Sequence, residues 1–464
     1  MTRQRIVVVT PDVLGERMAG PAIRAWNIAA TLSAEHEVLL ATTRECTIAG
    51  DGRFAVRHVD AGQAEALIAR TDVWVVQGSA LVTLPAIARS DAVVVVDLYD
   101  PYHLEALELS RDAPERDRRA VVHNATAVLN QAMRRGDLFL TASGKQRDFW
   151  LGALATLGRV NPQTYDEDET LGALVVRAPF GVDAAAPIAG EPRIRGVLPG
   201  VGADDLVLLW GGGLYNWFDP LTLVRAVDAV RRDVDTVRLV FMGVRHPNPR
   251  LPAQATAAAT QALAADLGLT GRHVFFNPTW VPYAERGSFL LEADVGVSTH
   301  LDHVETAFSF RTRILDYLWA GLPVVATDGD VLAGVLTGAG AGVVVPPEDA
   351  AALATTLLGL LQDADRRRAM AAASRELGRG YAWPQALAPL LEFCRAPRRA
   401  PDLTDAVTRR LIDRASETVR APKPLPGLRG EVGLARGYLR EGGTRLLARR
   451  AVSRAGKLLR GRTD

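Results

Sequence analysis

The chain has 464 residues, 48% hydrophobic and 23% charged, with a net charge of +1, which fits a soluble globular protein of two or three domains and excludes a disordered or fibrous chain. No run of about 20 apolar residues occurs, so no membrane-spanning helix is expected, and the opening MTRQRIVVVTP reads as a first strand rather than a signal peptide. Two distant cysteines, Cys46 and Cys394, exclude a disulfide framework or a metal-type spacing and suggest a reducing compartment.

The run Ile6–Thr10 predicts a buried parallel strand. The loop Pro11–Pro21 follows, then an apolar helical pattern through Ile23, Trp26 and Ala30, then a second strand at Val38–Thr42. This βαβ start places a ligand beyond the carboxyl end of the first strand. Gly20 would let backbone approach that ligand, and Arg24 sits just inside the helix. The loop has no GxGxxG, so it does not signal a dinucleotide. Further strands are expected at Val73–Val76, Val93–Val96 and Leu138–Thr141, with helical stretches between them, notably Arg118 to Arg134, and Leu174–Asp183 reads as a strand ending in a turn. Asp97, Asp100 and His103 gather where the Val93 strand ends, a candidate site, although Asp100-Pro101 is also a common turn and His103 also suits a helix face. Ser143-Gly-Lys145-Gln-Arg147 follows a strand but lacks the glycines of a P-loop. Residues 184–200, rich in Ala, Pro and Gly, read as a linker.

The second half repeats the pattern. Leu206–Trp210 is a strand, and Gly211, Gly212 and Gly213 then mark close backbone approach to a ligand, with phosphate favoured at the following helix. Asp219 is expected to cap that helix, with Pro220 at its first position. Val237–Met242 and Val274–Asn277 are strands, with an Ala-rich helix from about Pro252 to Leu267 between them. Trp280, after the second strand, could stack on a base or simply pack. The stretch Ala293–Thr327 reads strand, loop, helix, turn, strand. Its helix begins near Thr312, with Ile314, Leu315, Leu318 and Trp319 on one apolar face, and Gly321 and Pro323 stop it. A helix N-terminus with Arg311 and Arg313 beside it suits a phosphate, and Asp316 suits ribose hydroxyls. A plain βαβ unit with a solvated Arg–Asp pair is the competing reading. Helices over residues 350–361 and 366–379 complete the fold, which is an α/β chain of two doubly wound, Rossmann-like domains facing one cleft.

These residues resemble the family-4-type retaining glycosyltransferases of the GT-B fold (glycosyl transferases group 1). The carriers are Gly20, Pro179-Phe-Gly181-Val-Asp183, Gly211–Gly213 and, above all, Glu305 through Pro323, with Asp316-Tyr-Leu-Trp-Ala-Gly321-Leu-Pro323-Val-Val matching the family motif. The resemblance implies a first domain over 1–185 on the acceptor side and a nucleotide-sugar domain over 186–382. It also implies a crossover helix over 383–396 packing back on the first domain, and leaves a basic tail over 397–464. By the same resemblance Asp316 holds the ribose, Glu305 the donor sugar, and the loop Thr306–Arg311 (with Ser309, Phe310 and Arg311) offers N–H groups to the diphosphate. Asp97 takes the place of a family histidine at the sugar, with Arg24, Asp100 and His103 near it as acceptor or sugar contacts. Glu305 and Asp316 stand further apart than the family's two acids, and Asp is one methylene shorter than the usual Glu. The family's Arg and Lys after the first strand of the second domain are absent from Leu214–Asp219, so Arg313, Arg311 or Arg245 is expected to replace them.

The implied activity is hexosyl transfer from a nucleotide-diphosphate donor to an acceptor hydroxyl with retention, in cell-surface glycan or glycolipid synthesis. Asp97, Glu305 and Arg313 are its catalytic candidates, with no metal and no cofactor beyond the donor. The alternatives are a sugar-nucleotide epimerase of the same fold and a non-catalytic nucleotide-sugar-binding scaffold. The net charge hides an asymmetry: residues 395–464 hold 18 Lys/Arg against 7 Asp/Glu. Residues 401–464 are therefore expected to form amphipathic helices on an anionic membrane carrying a lipid-linked acceptor, with a cytoplasmic, peripheral location. Their near absence of aromatics, Tyr438 apart, argues against nucleic acid as a partner.

Overall fold

The computed structural model describes residues 3–244 and 255–407. Arg245 and most of the expected tail, residues 408–464, lie outside the described residues.

Seven strands form the first sheet: β1 (Arg5–Thr10), β2 (Glu37–Thr42), β3 (Ala55–His58), β4 (Val73–Gln77), β5 (Val93–Asp97), β6 (Leu138–Thr141) and β7 (Val175–Arg177). Their spatial order is β3-β2-β1-β4-β5-β6-β7, and every pairing is parallel. The second sheet holds β8 (Leu206–Trp210), β9 (Val237–Phe241), β10 (Val274–Phe276), β11 (Val295–Ser298), β12 (Val324–Thr327) and β13 (Gly342–Val345), ordered β10-β9-β8-β11-β12-β13 and again all parallel. Helices cover both faces, so the central strands carry unbroken Val and Leu runs; β4 and β5 are buried at every position. Burying each such side chain stabilises the fold by about 1.5–3 kcal/mol.

Strand order reverses between β1 and β4 in one sheet and between β8 and β11 in the other. Connections after these strands diverge and leave a crevice at the carboxyl ends. The loop before the helix Gly20–Leu32, the glycine loop after β8 and the segment after β11 all start from these switch points. Asp219 caps the helix Pro220–Val230 by accepting from Thr222 N at 3.0 Å. The helix Thr312–Ala320 stops at Gly321, whose φ of +72° lets Leu322 N reach back to Tyr317 O at 2.9 Å.

No named element lies between β7 and β8, as the linker composition predicts. The chain then crosses back at Val182: Val182 N donates to Tyr381 O and Trp383 N donates to Val182 O. Phe180 packs against Trp383 at 4.8 Å between ring centroids. The helix Ala388–Arg395 ends in an ion pair from Arg395 to Glu35 of the first domain, 2.7 Å. Part of the stretch expected as tail is body: Asp402 pairs with Arg159 at 2.6 Å with both side chains buried, and Ala400 N donates to Asp137 at 3.0 Å. Two edge strands, β3 and β13, have no counterpart in the sequence reading, nor does the helix Ala61–Ile68.

Candidate functional site

The facing loops enclose a cavity of about 360 Å³. The first domain contributes Gly20, Tyr99, Asp100 and Glu105; the second contributes the three glycines after β8 and the segment from Glu305 to Asp316. Gly20, Gly211, Gly212, Gly213, Ser309, Phe310, Arg311, Arg313 and Asp316 thus stand together on one wall system, as the sequence leads one to expect, and Trp280 joins them.

Tyr317 shapes the glycine loop. Its buried hydroxyl accepts from Gly211 N at 2.7 Å and can donate to Leu209 O or Val297 O, at 3.0 and 2.9 Å. The helix Thr312–Ala320 is thereby tied to the ends of both switch-point strands. Gly296 makes room for this ring: a Cβ there would lie 2.4 Å from it. Gly212, at φ +82°, turns the loop with nothing within 4 Å of an added Cβ.

Among the described residues three guanidiniums line the cavity, and their charges are compensated differently. Arg286 meets two carboxylates, Asp316 at 2.9 Å and Asp183 at 2.9 Å, and lies between the rings of Tyr283 and Trp319 at 3.4 and 4.2 Å. Arg311 makes a two-point ion pair with Glu305, at 3.0 and 2.7 Å. Arg313 has no carboxylate partner among the described residues. It donates to Gly213 O at 3.0 Å, stacks on Phe218 and Trp210 at 3.9 and 4.2 Å, and leaves Nη1 without a hydrogen bond. Burial, followed by the like charge of Arg311, draws its pKa down to about 10, so it remains a cation at neutral pH. A buried cation without a carboxylate partner beside the first turn of a helix has the charge and the free N–H groups that suit an anion.

Carboxyls line the same cavity. Burial, then Glu305, raise the Asp100 carboxyl to about 7. Glu105 beside it is raised well above the ordinary carboxyl range by burial and by Asp100. The Asp316 carboxyl is also raised by burial, although Arg286 opposes this.

Several expectations need correction. Asp97 and Arg24 do not face the cavity. They form a fully buried pair at 2.7 Å, in which Gln77 also donates to Asp97 at 2.9 Å and Arg24 also donates to the carbonyls of Ala178 and Pro179. This network fastens β4, β5, the helix Gly20–Leu32 and the chain after β7, which gives Asp97 and Arg24 a structural place. His103 likewise faces inward, stacked on Phe149 at 5.7 Å and beside Trp150 at 5.6 Å, with burial lowering its pKa. The supposed loop Thr306–Arg311 is partly the helix Val304–Phe308, and the N–H groups of Thr306, Ala307 and Ser309 are engaged by His303 and Thr306. Arg311 is neutralised by Glu305. Arg286 escaped the sequence reading because its partners, Asp316 and Asp183, lie on distant parts of the chain, and Glu105 escaped it too.

Residues 205–363 match the family model described as Glycosyl transferases group 1. The match lies within the second domain. Similar proteins include a phosphatidyl-myo-inositol mannosyltransferase of Mycolicibacterium smegmatis, 30% identical over 219 residues, which are 46% of this chain and 50% of that protein. A D-inositol 3-phosphate glycosyltransferase of Kineococcus radiotolerans is 32% identical over 241 residues, 48% of this chain and 52% of that protein. The chain spans about half the length of the curated relatives it matches. Among solved structures, Anabaena HepE in complex with UDP-glucose aligns with a TM-score of 0.60 at 14% identity, covering 85% of this chain and 100% of that one. That likeness establishes the GT-B fold of two Rossmann-like domains.

Proposed function

We propose that the protein is a hexosyltransferase that moves a sugar from a nucleotide-diphosphate donor to an acceptor hydroxyl with retention of configuration. The observation that carries this reading is Arg313, a buried cation on the cavity wall with no carboxylate partner among the described residues. A diphosphate there would complete its charge balance, and Gly211–Gly213 leave room for phosphate oxygens against backbone. Asp316, held by Arg286, would accept from ribose hydroxyls. The Glu305–Arg311 pair would contact the donor sugar, with Asp100 and Glu105 on the acceptor side.

In the reaction the bond from the anomeric carbon to the diphosphate oxygen breaks, and the acceptor oxygen attacks from the face the diphosphate leaves. The acceptor proton passes to a departing phosphate oxygen. Arg313 and the N-terminus of the helix Thr312–Ala320 stabilise the charge that develops on the diphosphate, with no metal required in this scheme. The glycosyltransferase names of the relatives and the UDP-glucose of the HepE complex support a nucleotide-sugar donor, and the inositol-based names support a glycolipid or glycan acceptor.

The test is a panel of UDP-, GDP- and dTDP-sugars, with nucleotide diphosphate release measured with and without inositol-type and lipid-linked acceptors. Acceptor-dependent release is expected. Acceptor-independent epimerisation would favour the epimerase, and failure of all donors to bind would leave a scaffold. We further propose that the reaction occurs at the cytoplasmic face of a membrane, bound through residues 408–464, beyond the segment whose Asp402 pairs with Arg159. Among the described residues no helix is long and apolar enough to cross a membrane. Liposome sedimentation with and without that segment checks this, and equal binding by the two forms excludes it.

A further inference from the structure

The helix Val304–Phe308 carries Glu305 and leads directly into Ser309, Phe310 and Arg311 on the cavity wall. The last carbonyls of any helix lack partners within it. Here Phe308 O accepts a hydrogen bond from the other domain, from Gln146 Nε2 at 2.9 Å. The same Nε2 donates to Tyr99 O at 2.9 Å, and Gln146 Oε1 accepts from Ala142 N at 2.8 Å. Beside this bridge the rings of Phe149 and Phe308 lie 4.5 Å apart.

Gln146 is completely buried, and this network fixes the orientation of its amide. Turned over, the amide would place its oxygen against two carbonyls and its NH₂ against an N–H. Both donors and the acceptor are needed where they are. The two carbonyls belong to opposite walls of the cleft: Tyr99 adjoins Asp100, and Phe308 lies three residues before Arg311.

We propose that Gln146 is a positioning residue for the donor site. It clamps the helix Val304–Phe308 to the first domain and so holds the Glu305–Arg311 pair at the cavity wall when the two domains are closed. The proposal rests on reading the cavity as a nucleotide-sugar site. It explains why Gln146 follows a strand in the Ser143–Arg147 segment although that segment is no P-loop: its ligand is the backbone of the partner domain.

The test uses Gln146→Glu, which keeps the size but sets a carboxylate against two carbonyl oxygens, and Phe149→Ala, which removes the ring contact and leaves the hydrogen bonds. UDP and GDP affinity by calorimetry, donor KM against kcat, melting temperature, and radius of gyration by small-angle scattering of ligand-free protein are measured. Both variants are expected to lose about tenfold in nucleotide-diphosphate affinity. The loss should appear in donor KM more than in kcat, with a larger radius of gyration than wild type. If Gln146→Glu fails to fold, Gln146→Met, which keeps the length and removes both donors, decides by the same measurements. Wild-type binding with unchanged affinity and radius in the folded variants overturns the role of Gln146. Wild-type protein that binds neither nucleotide overturns the donor-site reading itself.

Discussion

Replacing Arg313 with Met should separate activity from stability. The guanidinium is compensated by no carboxylate among the described residues, so its removal takes away a desolvation cost of several kcal/mol for a buried ion. Against this stand two ring contacts, at 3.9 and 4.2 Å, and one hydrogen bond to Gly213 O. Each ring contact contributes about 2 kcal/mol when desolvated, and a charged hydrogen bond about 1.5–3 kcal/mol. Gly213 O keeps a second partner, Trp210 Nε1 at 3.3 Å, so no carbonyl is orphaned. The two sides nearly cancel, and the melting temperature should move by only a few degrees. Catalysis has no such cancellation. A unit charge about 4 Å from a diphosphate charge contributes about 4 kcal/mol at an effective dielectric of about 20, which is on the order of 10³-fold in kcat/KM. The assay is nucleotide diphosphate release from the donor identified in the panel, with thermal melting on the same preparation. Activity within about fivefold of wild type in a folded variant would refute the assignment of Arg313 to the diphosphate.

Three other outcomes follow from the geometry. Arg24→Met strands the buried Asp97 carboxylate and should cost about 3–5 kcal/mol of stability; denaturant melting checks this, and an unchanged midpoint would return Asp97 to the list of ligand-contacting groups. Tyr317→Phe leaves Gly211 N–H without its partner and should cost about 1–3 kcal/mol, with weaker nucleotide binding by calorimetry; unchanged affinity would show that the glycine loop holds its shape without that bond. Asp100, raised by burial and Glu305 to about 7 from an ordinary 3.8, binds a proton in the folded state that the unfolded chain releases. Its contribution to stability is therefore present at low pH and lost as pH rises through that window. Asp100→Asn should melt increasingly above wild type from pH 5 to pH 8, and a pH-independent difference would contradict the shift.

Much of the α/β architecture is legible in the sequence because both sheets are covered on both faces. That burial writes each inner strand as a continuous apolar run and each intervening helix as a 3.6-residue pattern. The unread strands are edges. Ala55–His58 is largely exposed and alternates no apolar face, and Gly342–Val345 is only partly buried over most of its length, so neither carries the signal that burial imposes.

The site divides along the same line. Gly211–Gly213, Asp219 and the Thr312–Pro323 segment are local devices, in which a loop, a cap and a helix start and stop within a few residues, and the chain declares them itself. Charge compensation is not local. Asp97 and Arg24 look like ligands until the fold brings them together across 73 positions at 2.7 Å. Arg311 looks like a free cation until Glu305 closes on it. Arg286 stays invisible until it meets Asp316 and Asp183, which lie 30 and 103 positions away. The sequence by itself determined which elements form and which loops reach the cleft, since those depend on local pattern and backbone freedom. Only the tertiary structure decided which charges are neutralised and which, as at Arg313, has no carboxylate partner among the described residues, since Coulomb energy depends on distance in space and on burial.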